Sequence, residues 1–102
     1  MATLRYTRNF QTDLDQLTDF LLVSHAEDAD GLIELILDAL GILQDHPEIG
    51  RPHRLPHRLP QRELVISRGK SGYLALYKFN PVNNTVILQR IRHQRESGYR
   101  SI

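Results

Sequence analysis

Cysteine and tryptophan are absent from this chain of 102 residues. Without cysteine there is neither a disulfide framework nor a thiolate for catalysis, and a reducing compartment is the simpler expectation. No apolar run approaches about 18 residues, and the first ten residues lack the apolar centre of a secretory signal peptide. These absences predict a cytoplasmic protein that does not cross a membrane.

The length predicts a single domain that spans residues 1–102. A chain of this size buries roughly two-thirds of its unfolded surface in one core. We therefore expect it to fold without a structural metal ion or a disulfide.

Charge is divided unevenly along the chain, although the formal net charge is only +1. Residues 1–50 contain two basic and ten acidic side chains, a net of −8, and residues 51–102 contain eleven basic and two acidic ones, a net of +9. Such asymmetry is typical of a basic face that meets an anionic partner. The alternative is that the two halves attract each other within the fold.

Two amphipathic helices are predicted in the acidic half, after a short strand that contains Leu4 and Tyr6. The second helix runs from about His25 to Gln44 and ends at His46-Pro47. Apolar residues at helical spacing form one buried stripe on each helix. The predicted stripes are Phe10, Leu14, Leu17 and Leu21 on the first helix, and Ala29, Leu32, Ile33, Ile36, Leu40 and Leu43 on the second.

Three segments of the basic half alternate apolar and polar residues with a period of two: RELVISR, GYLALYKF and NTVILQRI. The short connections between them predict an antiparallel meander. The order β-α-α-β-β-β then predicts an α+β domain in which two helices pack on one face of a sheet.

Between the helices and the meander lies RPHRLPHRLP, in which Pro52, Pro56 and Pro60 recur every fourth residue. This spacing excludes a helix and predicts an extended connector. His53 and His57 therefore do not face each other across a helical turn, and no third ligand is nearby. A metal site in this connector is disfavoured.

Three further motifs lack the context that their chemistry needs. Gly69-Lys70-Ser71 resembles the end of a phosphate-binding loop, but Leu64 stands where that motif needs glycine. Ser67 and Ser71 lack the turn that exposes a serine nucleophile. A helix-turn-helix is disfavoured because acidic helices would be repelled by phosphates.

The C-terminal stretch QRIRHQRESGYRSI has the densest set of functional side chains. Guanidinium groups bind anions, imidazole titrates near neutral pH, and a tyrosine ring can stack on a base. The alternative is a strand with solvated arginines and a frayed end. The residues concerned are Arg90, Arg92, His93, Arg95, Tyr99 and Arg100.

Four short motifs follow one another in order: Gly50-Arg51-Pro52, Pro60 to Leu64, Gly72-Tyr73 with Tyr77, and Val86 to His93. The ordered set, with the two-helix front half, resembles the RelE/ParE superfamily of toxins from bacterial type II toxin–antitoxin (plasmid stabilisation) modules. The resemblance covers essentially the whole chain. It implies a helix pair packed on a meander, and a cognate antitoxin that docks an extended or helical segment on them.

The superfamily has two functions, and the RelE-like one is cleavage of messenger RNA on the ribosome. That reaction needs a group to activate the ribose 2′-hydroxyl and cations for the developing charge. Leu74 stands where RelE-like enzymes carry an arginine, and Glu63 and Val65 stand where they carry lysines. If the protein is a ribonuclease, the resemblance leaves His93, Arg95 and Tyr99 as its catalytic candidates.

ParE-like members instead inhibit DNA gyrase by binding it, and the incomplete catalytic set favours this function. The resemblance then implies a basic and aromatic target-binding edge and no cofactor. An alternative of another class is a basic nucleic-acid-binding module. The target-binding candidates are Arg62, Arg90, Arg92, Arg95 and Tyr99.

Overall fold

The computed structural model describes residues 1–24, 26–53, 60–68, 71–95 and 98–99. Two helices and five strands confirm the predicted α+β class, with the helix pair before the meander. In chain order they are β1 (Thr3–Tyr6), α1 (Arg8–Ser24), α2 (Ala26–Asp45), β2 (Arg51–His53), β3 (Gln61–Arg68), β4 (Ser71–Asn80) and β5 (Thr85–His93).

The five strands form one sheet in the order β1-β5-β4-β3-β2. Strands β3, β4 and β5 are the predicted antiparallel meander. Strand β1 lies parallel to β5, from Thr3 opposite Thr85 to Tyr6 opposite Leu88. Strand β2 was not predicted, because its three residues lie in the connector. It adds an antiparallel edge to β3, where Pro52 is tolerated because an edge strand has one unpaired side.

Both helices pack on one face of the sheet and bury the apolar stripes against it. The stripe of α2 is confirmed at Leu32, Ile36, Leu40 and Leu43, all fully buried. On α1, Phe10 is buried, and Leu14 and Leu17 are partly buried against the core. The prediction for Ile33 was wrong, because this side chain is 40% exposed. With 100° of rotation per residue, Ile33 lies roughly 65° around the helix axis from the centre of the buried stripe, and its side chain therefore reaches the solvent.

The sheet contributes alternate residues to this core. Facing the helices are Leu64, Ile66, Tyr73, Ala75, Tyr77, Phe79, Val86, Leu88 and Ile91. Glu63 pairs with Leu76, and Leu74 with Arg92, so these four side chains share the opposite side of the sheet, here called the back face. Leu76 pairs with Arg90, but the next residue, Tyr77, pairs with Leu88, so a β-bulge shifts the register between β4 and β5 by one residue at this point.

Some predictions fall outside the described residues. They concern the second half of the proline connector, the turn between β3 and β4, and the end of the chain. The positions are Pro56, His57, Gly69, Lys70 and Arg100, together with the side chains of Leu21 and Ala29.

Candidate functional site

The carboxylate of Glu63 is the centre of a polar cluster on the back face. Glu63 is buried, with 4% of its surface exposed. Arg51 binds Oε1 through Nη2 and, at 2.8 Å, through Nε. The hydroxyl of Tyr99 donates to Oε2 at 2.6 Å. His53 Nδ1 lies 3.7 Å from the same oxygen. Together with Arg92 these residues are called the Glu63 cluster.

The sheet register brings this cluster together from distant parts of the sequence. Arg51 and Glu63 are direct partners across β2 and β3. His53, two residues after Arg51, points to the same side. The His53 and Tyr99 rings meet edge to face, with centroids 5.6 Å apart.

Tyr99 connects the two sides of the meander. Its hydroxyl is held on β3 by Glu63, and the guanidinium carbon of Arg92, on β5, lies 4.9 Å from its ring centroid. Because β4 lies between β3 and β5 in the sheet, the Tyr99 ring crosses over β4 on the back face. Leu74 and Leu76 occupy this part of β4 and are 4% and 0% exposed.

The environment keeps Glu63 ionised. Burial by itself would raise the pKa of this carboxyl, but the hydrogen bonds from Tyr99 and Arg51 and the charges of Arg51 and His53 outweigh it. The net pKa of Glu63 is therefore below its ordinary value. The carboxylate acts as a fixed acceptor for its neighbours.

The phenol of Tyr99 is shifted in the opposite direction. Burial, followed by the hydrogen bond to Glu63 and the charge of that carboxylate, raises the pKa of Tyr99, and Arg92 only partly offsets this. Tyr99 therefore remains a hydrogen-bond donor at neutral pH. It is a poor general base in this position.

Arg90 was expected on an exposed basic edge with Arg92 and Arg95, but the structure places it in the interior. Its Nε and Nη2 bind the two oxygens of Asp13 at 2.8 and 2.7 Å, and both side chains are 6% exposed. The amide of Ile91 also donates to Asp13, at 3.1 Å. This pair fixes α1 to β5 and joins the acidic and basic halves, as the second interpretation of the charge pattern proposed.

Arg62, another target-binding candidate, holds the chain where it enters β2. Its Nη1 donates to the carbonyl oxygens of Gly50 at 2.8 Å and Glu48 at 3.0 Å. Gly50 in turn donates to the hydroxyl of the buried Tyr77 at 2.8 Å. A Cβ on Gly50 would lie 2.6 Å from that ring, so glycine is required here.

His93 lies at the end of β5, opposite Tyr73, and packs its ring edge-on against that tyrosine at 5.3 Å. Its Nδ1 accepts a hydrogen bond from the amide of Arg95 at 3.0 Å. Arg95 itself is exposed. The described contacts therefore place His93 with Tyr73 and Arg95, and Tyr99 with the Glu63 cluster.

Sequence reasoning missed Arg51, His53 and Glu63 as members of the site. One signal was available, because Glu63 is one of only two acidic residues in residues 51–102. A lone carboxylate in a basic, apolar strand is expected to be paired. Among the described residues, no three histidine or acidic side chains come together as metal ligands. In the same part of the chain, no helix is long and apolar enough to span a membrane.

Comparisons with known proteins agree with this fold. The sequence model of the ParE toxin of type II toxin–antitoxin systems matches residues 4–98. A solved structure of a chromosomal ParDE toxin–antitoxin system from P. aeruginosa is 25% identical, with a TM-score of 0.73 over 91% of this chain and 96% of that one.

A solved structure of the RelBE2 toxin–antitoxin complex from Mycobacterium tuberculosis shares the fold at 24% identity. Its TM-score is 0.58 over 91% of this chain and 98% of that one. The curated proteins contain no match. The predicted superfamily is confirmed, and the chain belongs to the ParE toxin family of type II toxin–antitoxin systems.

Proposed function

We propose that this toxin arrests growth by binding DNA gyrase in the cytoplasm, and that a cognate antitoxin neutralises it. The main support is the side-chain chemistry at the positions where RelE-like ribonucleases carry cations. Leu74 is buried and apolar, and Glu63 is a carboxylate already bound by Arg51. Neither residue can stabilise the negative charge that develops during RNA cleavage.

The catalytic candidates also favour binding over RNA cleavage. Tyr99 keeps its proton, donates a hydrogen bond to Glu63 and has a raised pKa, so it is poorly suited to activate a ribose hydroxyl. The Nδ1 atom of His93 already accepts a hydrogen bond from the backbone amide of Arg95, so this nitrogen is not available to take a proton from a ribose hydroxyl. A protein that acts by binding needs no such base.

The target-binding surface that we propose is the end of β5 and the residues after it. Arg90 is buried against Asp13, and Arg62 holds the chain at the entry to β2, on the far side of the sheet from β5. The other three predicted residues, Arg92, Arg95 and Tyr99, lie on β5 or after it. Arg95 is exposed, and Arg92 and Tyr99 are partly exposed. Arginine and tyrosine dominate the binding energy of many protein interfaces.

The antitoxin has a second surface available on the helices. Phe20 and Val23 of α1 are 65% and 88% exposed, and Ile33 and Leu37 of α2 are 40% and 46% exposed. Each pair is three or four residues apart and so shares one helix face. Exposed apolar side chains of this kind mark binding sites, and an amphipathic antitoxin segment would cover them.

The test is a parallel assay of the purified protein on gyrase supercoiling and on ribosome-bound messenger RNA. We expect gyrase inhibition and no cleaved transcript. Arg95→Ala should weaken inhibition at least about tenfold, the loss expected for an interface arginine. Arg5→Ala, a similar change at an exposed residue of β1, serves as the matched control and should have no effect. Transcript cleavage with unaffected gyrase would replace this proposal by the ribonuclease.

A further inference from the structure

Tyr99 is recognised by three different groups, each suited to a different part of a tyrosine side chain. Glu63 accepts a hydrogen bond from its hydroxyl at 2.6 Å, Arg92 lies over its ring face, and His53 meets the ring edge to face. Carboxylate, cation and ring contact together match a phenol more completely than any other natural side chain. Arg51, His53, Glu63 and Arg92 are called the Glu63 socket.

Arg51 prepares this socket. Its hydrogen bonds go to Oε1 of Glu63, which leaves Oε2 directed at the hydroxyl of Tyr99. Glu63 itself lies on β3, which is hydrogen-bonded to β2 on one side and β4 on the other. The acceptor is therefore held in place by the sheet, and little ordering is needed when a phenol binds.

The occupant is held differently. Tyr99 follows the last strand, and the turn that leads to it is attached to the sheet by a backbone bond from the amide of Gln94 to the oxygen of Gly72 at 2.8 Å. Tyr99 lies outside the helices and strands, so its side chain can leave the site without breaking the hydrogen bonds of a strand ladder. A socket fixed on the sheet with an occupant outside the sheet is the arrangement of an exchangeable site.

We propose that the Glu63 socket is a tyrosine-binding site, which Tyr99 occupies in cis and a tyrosine of a partner polypeptide occupies in exchange. The hydroxyl decides the specificity, because phenylalanine would leave a buried carboxylate oxygen without its donor. This site goes beyond the proposed function, and its test requires neither gyrase nor an antitoxin.

The experiment uses the full-length Tyr99→Ala variant and a synthetic peptide of residues 96–102, ESGYRSI. Titration followed by amide NMR should shift signals of β3 and β5, with a dissociation constant of about 0.1 mM or below. A tethered side chain has an effective concentration in the millimolar range, about tenfold or more above that constant. The wild-type protein should bind the peptide at least about tenfold more weakly, because Tyr99 competes for the socket.

Two controls separate recognition from loose binding. A peptide with phenylalanine in place of tyrosine should bind the Tyr99→Ala variant at least about fivefold more weakly than the tyrosine peptide does, because it cannot donate a hydrogen bond to Glu63. Tyr6→Ala, which removes a partly exposed tyrosine from β1, should leave peptide binding at the wild-type level.

Tyr99→Phe provides a second measurement, whether or not Tyr99→Ala folds. The tyrosine peptide should displace the substituted phenylalanine ring more easily than it displaces the native tyrosine. The proposal is overturned if a folded Tyr99→Ala or Tyr99→Phe shows no gain in peptide binding over wild type. Equal affinity for the tyrosine and phenylalanine peptides would overturn it as well.

Discussion

Two arginine–carboxylate pairs in this toxin use similar bonds but differ in their access to water. In the Asp13–Arg90 pair both side chains are 6% exposed. In the Arg51–Glu63 pair the carboxylate is 4% exposed, whereas the arginine side chain is 60% exposed. The first pair joins a helix to the sheet, and the second lies at the edge of the sheet.

This difference assigns the two pairs different tasks. When both charges are buried, each depends on the other, and the pair holds the fold together. When one charge is in water, the other can be shared with a further group, as Glu63 is with Tyr99. We therefore expect changes at Asp13 to act on the whole fold, and changes around Glu63 to act mainly on the position of Tyr99.

The largest effect is expected for Asp13→Asn. Removing the charge leaves Arg90 buried without a counter-charge, and the free energy of unfolding should fall by about 3–5 kcal/mol. Replacing both residues by apolar side chains, as in Asp13→Leu with Arg90→Met, should recover much of this loss. Urea unfolding measures both variants. A loss below about 1 kcal/mol for Asp13→Asn would contradict the structural role.

Arg51→Ala should have a smaller effect, about 1–2 kcal/mol, because Glu63 keeps the hydrogen bond from Tyr99 and the nearby His53. The same unfolding measurement gives the comparison with Asp13→Asn. If the two variants lost equal stability, exposure would not distinguish the two pairs.

Tyr99→Phe should lower the free energy of unfolding by about 1 kcal/mol, the contribution of one hydrogen bond. The ring and its contact with Arg92 are retained. Limited proteolysis should cleave beside Tyr99 faster in this variant than in wild type, at an unchanged rate elsewhere. Cleavage throughout the domain would show that Tyr99 supports the whole fold.

The acid dependence of stability gives the smallest predicted effect. Because the pKa of Glu63 is lowered from its ordinary value of 4.5, its contribution is present above that pH and is lost as pH falls through the lower, folded value. The stability difference between wild type and Glu63→Gln should therefore shrink in acid below 4.5. A difference that stayed constant down to about pH 2 would mean that the pKa of Glu63 is the same in the folded and the unfolded protein.

The sequence predicted the elements whose signal is local. The stripe of α2 predicted a helix from about His25 to Gln44, and the helix spans Ala26–Asp45. The meander followed from period-two alternation and short turns. Strand β2 has three residues and a proline, which is too short for periodicity to reveal. The parallel pairing of β1 with β5 joins the two ends of the chain, and no local pattern records it.

The site was predictable only in part, for the same reason. Arg90, Arg92 and Arg95 have the same side chain within six positions, and the sequence cannot tell which of them is buried. The partner of Arg90 is Asp13, 77 positions away, which lay outside the predicted stripe of α1. Tyr99 was found from its aromatic and basic neighbourhood, but its acceptor Glu63 is 36 positions away, on β3.

The central claim is that Asp13 and Arg90 hold the fold, whereas the Glu63 cluster holds Tyr99 against the sheet. Amide hydrogen exchange of wild type, Asp13→Asn and Tyr99→Phe tests it residue by residue. We expect Asp13→Asn to speed exchange throughout α1 and the whole sheet. Tyr99→Phe should speed exchange only after β5 and leave the core strands at wild-type rates. Faster exchange across the core in Tyr99→Phe, or unchanged exchange in Asp13→Asn, would contradict the account.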